Sequence, residues 1–263
     1  MDEHFDRAGV TRALARAGCV AADEEAEELL VAAEDAAGLR RMVERRLTGE
    51  PLAWITGRTV FCGLAVAVDP GVYVPRWQSE PLARLAAQLL PPTGVGVDLC
   101  TGAGAVAMVM QATRPRARVV ATEIDPAAVG CARRNGVVVY PGHLDRPLTP
   151  DLVSAVDVMA GVLPYVPDDA LHLLPRDVLA FEPRVALDGG REGLESVASV
   201  VESSPRWLRA GGWLALEVGG DQVPAVTVLF EAAGYSALGV LEDADGDPRA
   251  VYGQLAGSSA PSG

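Results

Sequence analysis

The 263-residue chain contains no lysine: its 22 basic residues are all arginine, set against 35 acidic ones, for a formal net charge of −13. A surplus of negative charge this large argues against a general binder of nucleic acid or anionic membrane. Long apolar runs are also missing, and none approaches the ~18–20 residues that a membrane helix needs. The opening residues Met1-Asp2-Glu3-His4 are acidic and lack the basic-then-apolar order of a secretory leader. Cysteine is sparse. Cys19, Cys62, Cys100 and Cys131 stand apart with no C-x-x-C pair and no neighbouring histidine. No metal site is expected from them, and they read as reduced thiols of a cytoplasmic protein. Aromatic residues make up only 5% of the chain, yet the hydrophobic content of 49% is ample for a core. The length suits one large domain, or one domain with a small appendage, and no internal repeat is visible.

What is present centres on Val95-Gly96-Val97-Asp98-Leu99-Cys100-Thr101-Gly102-Ala103-Gly104-Ala105-Val106. A short apolar run ends at Asp98, turns through two glycines and opens onto a second apolar run long enough for a buried helix. Strand, tight glycine turn and helix is the arrangement by which parallel α/β folds bring backbone N–H groups against a ligand. Gly102-Ala103-Gly104-Ala105-Val106-Ala107 formally satisfies the relaxed dinucleotide pattern. Asp98 favours a different cofactor: a carboxylate there repels a pyrophosphate and attracts the ammonium and sulfonium of S-adenosylmethionine. Glu123, about 20 residues after the glycines, is placed to accept hydrogen bonds from both ribose hydroxyls of either cofactor. NAD, or a strand–helix turn with no ligand, are the other readings of these residues.

Along the chain, residues 2–48 carry Leu, Val and Ala at helical spacing and predict two or three short helices in a small bundle. Residues 59–68 predict two short strands about a turn at Gly63. A helix is expected near 81–90. After the glycine turn come a helix at 126–135, strands at 137–140 and 156–162, and a helix across 192–208. A strand at 213–218, a helix across 222–233 and closing strands near 237–241 and 250–254 complete the pattern. The alternation calls for a mostly parallel sheet covered on both faces, with an antiparallel hairpin at one edge. The expected organisation is a helical domain at 1–57, a hairpin linker at 58–75, a cofactor-binding α/β domain at 76–256 and a flexible tail at 257–263. A ligand crevice forms at the carboxyl ends of the strands. That places Asp98–Gly104, Glu123-Ile124-Asp125, Gly142-His143-Leu144-Asp145 and Val162-Leu163-Pro164-Tyr165 around one site, the last of them on the acceptor side.

With these pieces in order the chain resembles the HemK/PrmC protein-(glutamine amide) methyltransferases, from about residue 49 to residue 254. The resemblance is carried by Gly49-Glu50-Pro51-Leu52, Val68-Asp69-Pro70-Gly71, Val74-Pro75-Arg76 with Ser79-Glu80, and Asp98-Leu99-Cys100-Thr101-Gly102-Ala103-Gly104. Phe181-Glu182-Pro183-Arg184-Val185-Ala186-Leu187-Asp188-Gly189-Gly190 with Gly193-Leu194 is the most distinctive piece. Leu216-Glu217-Val218-Gly219 and Asp221-Gln222 follow it.

The resemblance implies a Rossmann-like, seven-stranded methyltransferase sheet with an N-terminal helical domain that helps to dock a protein substrate. It implies S-adenosylmethionine as the donor and a glutamine side-chain amide nitrogen, in a release factor or a ribosomal protein, as the acceptor. Carried over residue by residue, it places Asp98, Cys100, Thr101, Gly102, Gly104, Glu123, Ile124, His143 and Leu144 at the cofactor. Val162, Leu163, Pro164 and Tyr165 fall at the reacting amide, and Arg76, Glu80, Glu182 and Arg184 at the substrate. Two positions depart from the family pattern. Where the family carries Asn-Pro-Pro-Tyr this chain has Val162-Leu163-Pro164-Tyr165, and the family's Asn pairs with the substrate amide while the next carbonyl accepts its N–H. Where the family usually has Asp near the adenine amino group, this chain has His143, whose neutral ring can accept the same hydrogen bond. The Val162 departure keeps a second expectation open, a small-molecule methyltransferase with an altered acceptor. A third is a homologue that binds cofactor without catalysis. The chain is expected to act as a monomer or homodimer.

Overall fold

Leu, Val and Ala at three- and four-residue spacing give helices α1 (Arg7–Arg16), α2 (Ala22–Ala32) and α3 (Ala36–Leu47) in a computed structural model that describes residues 6–174 and 176–257. Asp6 and Asp35 cap α1 and α3 by accepting the N–H groups of Gly9 and Gly38, which would otherwise be unpaired at the first turn. The apolar stripes meet in a small core of their own that includes Val10, Leu14, Leu29, Leu39, Val43 and Ile55. Ile55 comes from a fourth helix, α4 (Leu52–Thr56), which at five residues is too short to show a period. Most of the tail expected at 257–263 lies outside the described residues.

The expected hairpin is present as β1 (Arg58–Phe61) and β2 (Leu64–Ala67), paired antiparallel. Its two-residue loop, Cys62-Gly63, has φ of 50° and 79°, the double positive φ that matches the twist of a tight hairpin.

Seven further strands, β3 (Val95–Leu99), β4 (Arg118–Glu123), β5 (Val138–Pro141), β6 (Val156–Gly161), β7 (Leu208–Glu217), β8 (Tyr235–Glu242) and β9 (Pro248–Leu255), form one sheet in the order β5-β4-β3-β6-β7-β9-β8. The pairings from β5 through β7 are parallel, and β9 runs antiparallel to both β7 and β8. The expected edge hairpin is therefore β8–β9, with its second strand inserted next to β7. Side chains alternate across the sheet: Val119 and Ala121 of β4 pack into one apolar cluster and Val120 into the other, as the two-residue period of a strand requires. Helices α5 (Glu80–Leu89), α6 (Ala105–Thr113) and α7 (Pro126–Arg134) cover the first face. After a short α8 (Arg176–Phe181), helices α9 (Glu195–Ser203) and α10 (Val223–Ala232) cover the second. All six residues of β6 are buried, as expected of a central parallel strand.

Three boundaries depart from the sequence pattern. The strand expected to reach residue 162 ends at Gly161 and leaves Val162 in the following loop. The helix expected across 192–208 is confined to α9 and a 3₁₀ turn, Ser204–Arg206, that contains Pro205. Strand β7 begins at Leu208, well before residue 213, because Gly211-Gly212 resembles a break in sequence but is absorbed where the pairing with β6 shifts register, a bulge of the kind glycine favours. Among the described residues no helix is long and apolar enough to cross a membrane. Connections from β3 lead to β4 and β5 on one side and to β6 and β7 on the other, so the crevice opens at the carboxyl ends of β3 and β6.

Candidate active site

Asp98, near the end of β3, is 1% exposed. One of its carboxylate oxygens accepts the Thr101 hydroxyl and the Ala107 N–H, which closes the glycine turn onto the first turn of α6. Burial pushes the Asp98 pKa up to about 7, against the opposing pull of those two hydrogen bonds. The backbone turns with positive φ at Cys100, Gly102 and Gly104. The two glycines do different work. A Cβ at Gly102 would meet nothing within 4 Å, whereas one at Gly104 would come within 2.9 Å of Val137 and 3.3 Å of Ala132. Gly102 permits an open turn, and Gly104 lets α6 pack against α7.

Glu123 ends β4 with its carboxylate wrapped in backbone donors. One oxygen accepts the Gly102 N–H at 2.9 Å, and the other accepts those of Ile124 and Asp125 at 2.8 and 2.9 Å. Burial raises its pKa and the three N–H groups oppose the rise. Asn135 adds a brace that no motif announced. Its side chain donates to the Ala67 and Ala103 carbonyls and accepts the Ala67 N–H, tying the hairpin to the glycine turn.

On the acceptor side, the loop after β6 is clamped from behind. Gln222 donates to the carbonyls of Tyr165 and Glu192 at 3.0 and 3.2 Å and accepts the Gly219 N–H at 2.9 Å, which uses its amide in both directions. Val166 is tied to the same strap on both sides, its N–H donating to the Leu187 carbonyl and its carbonyl accepting the Gly189 N–H. A Cβ at Gly193 would stand 2.1 Å from the Tyr165 carbonyl oxygen, and one at Gly189 would stand 2.8 Å from that of Pro164. The glycines of the Phe181–Gly193 motif are thus there to let a second strap of backbone lie directly on the acceptor loop. The same motif is fastened at its other end: Phe181 meets the Trp54 ring edge-on, and Glu182 pairs with Arg76. Burial lifts the Tyr165 phenol and the Glu217 carboxyl, and the Ser79 and Tyr165 hydroxyls beside Glu217 oppose its rise.

The glycine turn, Glu123 and the loop after β6 line one cavity of about 780 Å³, within the ~300–1,000 Å³ usual for small-ligand sites. Eight of the nine expected cofactor residues are on its wall, Gly104 being the exception because it faces α7. Val162, Leu163, Pro164 and Tyr165 are on the wall as well. Of the four expected substrate residues only Arg76 and Glu182 are brought together, and only Arg76 is on the wall. Arg76 lines the cavity beside Tyr73, with its guanidinium 5.3 Å from the centre of the Tyr73 ring. Glu182 lies behind Arg76 with its side chain 1% exposed. Glu80 instead accepts the Cys62 N–H at 2.7 Å and pairs with Arg84 at 2.9 Å, so its charge is spent on holding the hairpin to α5. Arg184 is exposed and pairs with Asp188. Gln78, Ser79 and Tyr73 line the cavity without having been expected there.

The donor set fits S-adenosylmethionine. A buried carboxyl at Asp98, lifted toward neutrality, gains from a nearby cation, and Glu123 retains acceptor capacity beyond its three backbone donors.

Comparison with known proteins agrees with this geometry. Residues 64–139 match the Methyltransferase small domain family. A 16S rRNA N2 G1207 methyltransferase of T. thermophilus, described in complex with AdoMet and guanosine, shares the fold with a TM-score of 0.52 at 19% identity, over 78% of this chain and 46% of that one. The release factor glutamine methyltransferase of Geobacter sulfurreducens is 34% identical over 84% of this chain and 79% of its own. That of Moorella thermoacetica is 38% identical over 85% and 81%. Identity at this level across most of both partners reflects common descent, and the chain belongs to the release factor glutamine methyltransferase family.

Proposed function

We propose that this protein transfers a methyl group from S-adenosylmethionine to the side-chain amide nitrogen of a glutamine in a peptide release factor. The observation that carries this reading is a single cavity whose acidic end, Asp98 and Glu123, opens directly onto the clamped loop Val162–Tyr165. When bound, the donor would supply an electrophilic methyl group whose bond to a positively charged sulfur breaks as the bond to the acceptor nitrogen forms, leaving a neutral thioether and one proton released to water. Ionised Asp98 would balance the donor's charge, Glu123 would accept from the ribose hydroxyls and the His143 ring would accept from the adenine amino group. An amide nitrogen is a poor nucleophile because its lone pair is delocalised. Carbonyl oxygens that hold its hydrogens aim the nitrogen and oppose the build-up of charge. The Leu163 carbonyl is one such group, and Gln222 and the Gly189–Gly193 strap keep its loop from yielding.

The units supporting this are a helical domain at 1–57 that docks the protein substrate, a hairpin linker at 58–75 and the catalytic domain at 76–256. Val162 favours one competing reading, a small-molecule acceptor with a less polar edge. Labelled methyl transfer to an intact release factor, with its Gly-Gly-Gln glutamine present or replaced by glutamate, tests both. Label confined to the glutamine-bearing factor supports the proposal. Label found only in the small-molecule fraction of a cell extract would replace it with the competing reading.

A further inference from the structure

An acceptor amide presents two N–H groups and one carbonyl, and each is stranded if the cavity gives it no partner. At the end of β6 the wall is Val162, which neither donates nor accepts. Val162 packs against a small cluster formed by Leu82 of α5 with Ala215 and Ala250, and the 3₁₀ turn that leads into α5, Trp77–Ser79, carries Gln78 onto the wall of the same cavity. The side-chain oxygen of Gln78 is buried and has no hydrogen-bond partner. Two other buried oxygens nearby share that condition, Ser79 Oγ and Glu217 Oε2, but the Ser79 hydroxyl and the Glu217 carboxyl stand beside one another. A buried carbonyl without a partner is a standing cost to the fold, and the broad last torsion of glutamine lets it turn toward a ligand.

We propose that Gln78 is the specificity-determining residue of this site, pairing with the acceptor amide in place of the side chain that position 162 lacks. This rests on the glutamine reading given above. A primary amide is the natural partner of another: Gln78 accepts an N–H from the acceptor through its carbonyl and donates to the acceptor's carbonyl through its own N–H. A carboxylate acceptor would set its oxygens against the Gln78 carbonyl, so glutamine is selected over glutamate.

The test compares the full-length parent with Gln78→Leu, Val162→Asn and the double variant, measuring kcat/KM for labelled methyl transfer to a release-factor Gly-Gly-Gln peptide. S-adenosylmethionine affinity and the thermal midpoint are measured alongside. Gln78→Leu should lower kcat/KM by about 5- to 150-fold, with cofactor affinity changed less than about two-fold. Val162→Asn should restore about five-fold or more in the Gln78→Leu background, because the two sites offer the same group to one amide. Should Gln78→Leu fail to fold, the isosteric Gln78→Met carries the same expectation. An active parent whose Gln78 variants keep full activity, or lose cofactor affinity in step with activity, overturns the proposal alone. A parent that binds cofactor yet never methylates glutamine overturns the glutamine reading, and this proposal with it.

Discussion

The Gly102 N–H donates to a carboxylate oxygen of Glu123 at 2.9 Å, so the glycine turn after β3 and the acid that ends β4 form one unit. Each holds the other in place before any ligand arrives. Replacing Glu123 with alanine removes the acceptor for three backbone N–H groups as well as the proposed ribose contact. Hydrogen bonds to charged groups contribute about 1.5–3 kcal/mol each. Glu123→Ala is therefore expected to weaken S-adenosylmethionine binding by at least about ten-fold in isothermal titration. Unchanged affinity would remove Glu123 from the cofactor site, and comparable affinity of the parent for NAD would overturn the assignment of the cofactor.

Asp98 is expected to make cofactor binding depend on pH near neutrality. Its pKa is raised to about 7 by burial, above the value of about 3.9 for an unfolded chain. A raised carboxyl pKa favours the fold below the unfolded value, and that contribution is lost as pH rises through about 7. A cationic ligand reverses the penalty, because the ionised carboxylate is the form it binds. The rise in thermal midpoint on adding S-adenosylmethionine should thus grow between pH 5.5 and 7.5, and Asp98→Asn should abolish that growth. The ligand's own amine titrates identically with both proteins, so the difference between them reports Asp98. Parallel profiles for parent and variant would show that Asp98 does not ionise on binding.

How much of the site the sequence disclosed follows from the distances involved. Asp98, Thr101 and Gly102 act within one turn of chain, and Glu123 lies at the end of the next strand, so spacing alone marks them. Gln222 lies 57 residues from the Tyr165 carbonyl that it holds, and Asn135 lies 68 residues from Ala67. Nothing local to either position signals its partner. Glu80 shows the opposite failure, because its place beside Arg76 in the motif suggested substrate while its carboxylate is occupied by Cys62 and Arg84. Gly102 and Gly104 are indistinguishable as letters, and only the packing of Val137 and Ala132 around Gly104 separates their roles. In the fold, the sheet was legible from its apolar runs, whereas α4 and α8, with five and six residues, are too short to carry a period.

Gln222 is expected to act on turnover through the acceptor loop, without touching the cofactor. Gln222→Leu leaves the Tyr165 and Glu192 carbonyls without their donor, which costs about 1–3 kcal/mol of stability where such groups are buried. Glycine-turn residues are not among its partners, so S-adenosylmethionine affinity should stay within about two-fold while kcat toward the release factor falls by roughly ten-fold or more. Gln222→Glu, which keeps an acceptor for the Gly219 N–H but loses both donors, should resemble Gln222→Leu in kcat. A variant that loses cofactor affinity and kcat together would show Gln222 to be a general support of the fold.

Gly193 and Gly71 separate backbone conformation from contact. Both have positive φ, 69° and 86°, but a Cβ at Gly71 would meet nothing within 4 Å, while one at Gly193 would stand 2.1 Å from the Tyr165 carbonyl oxygen. Alanine at Gly71 therefore carries only the left-handed backbone penalty of about 1–2 kcal/mol. Alanine at Gly193 carries that penalty and must also push the strap off the acceptor loop, because the obstructing atom is backbone and cannot swing aside. Chemical denaturation should show Gly193→Ala less stable than Gly71→Ala by at least about 1–2 kcal/mol, with the difference read from the midpoint at constant slope. Activity should divide the same way: Gly71→Ala should keep near-parental kcat in folded protein, and Gly193→Ala should lose it even under conditions where it is folded and binds cofactor. Equal stability and equal kcat for the two variants would mean that the strap does not rest on the Tyr165 carbonyl.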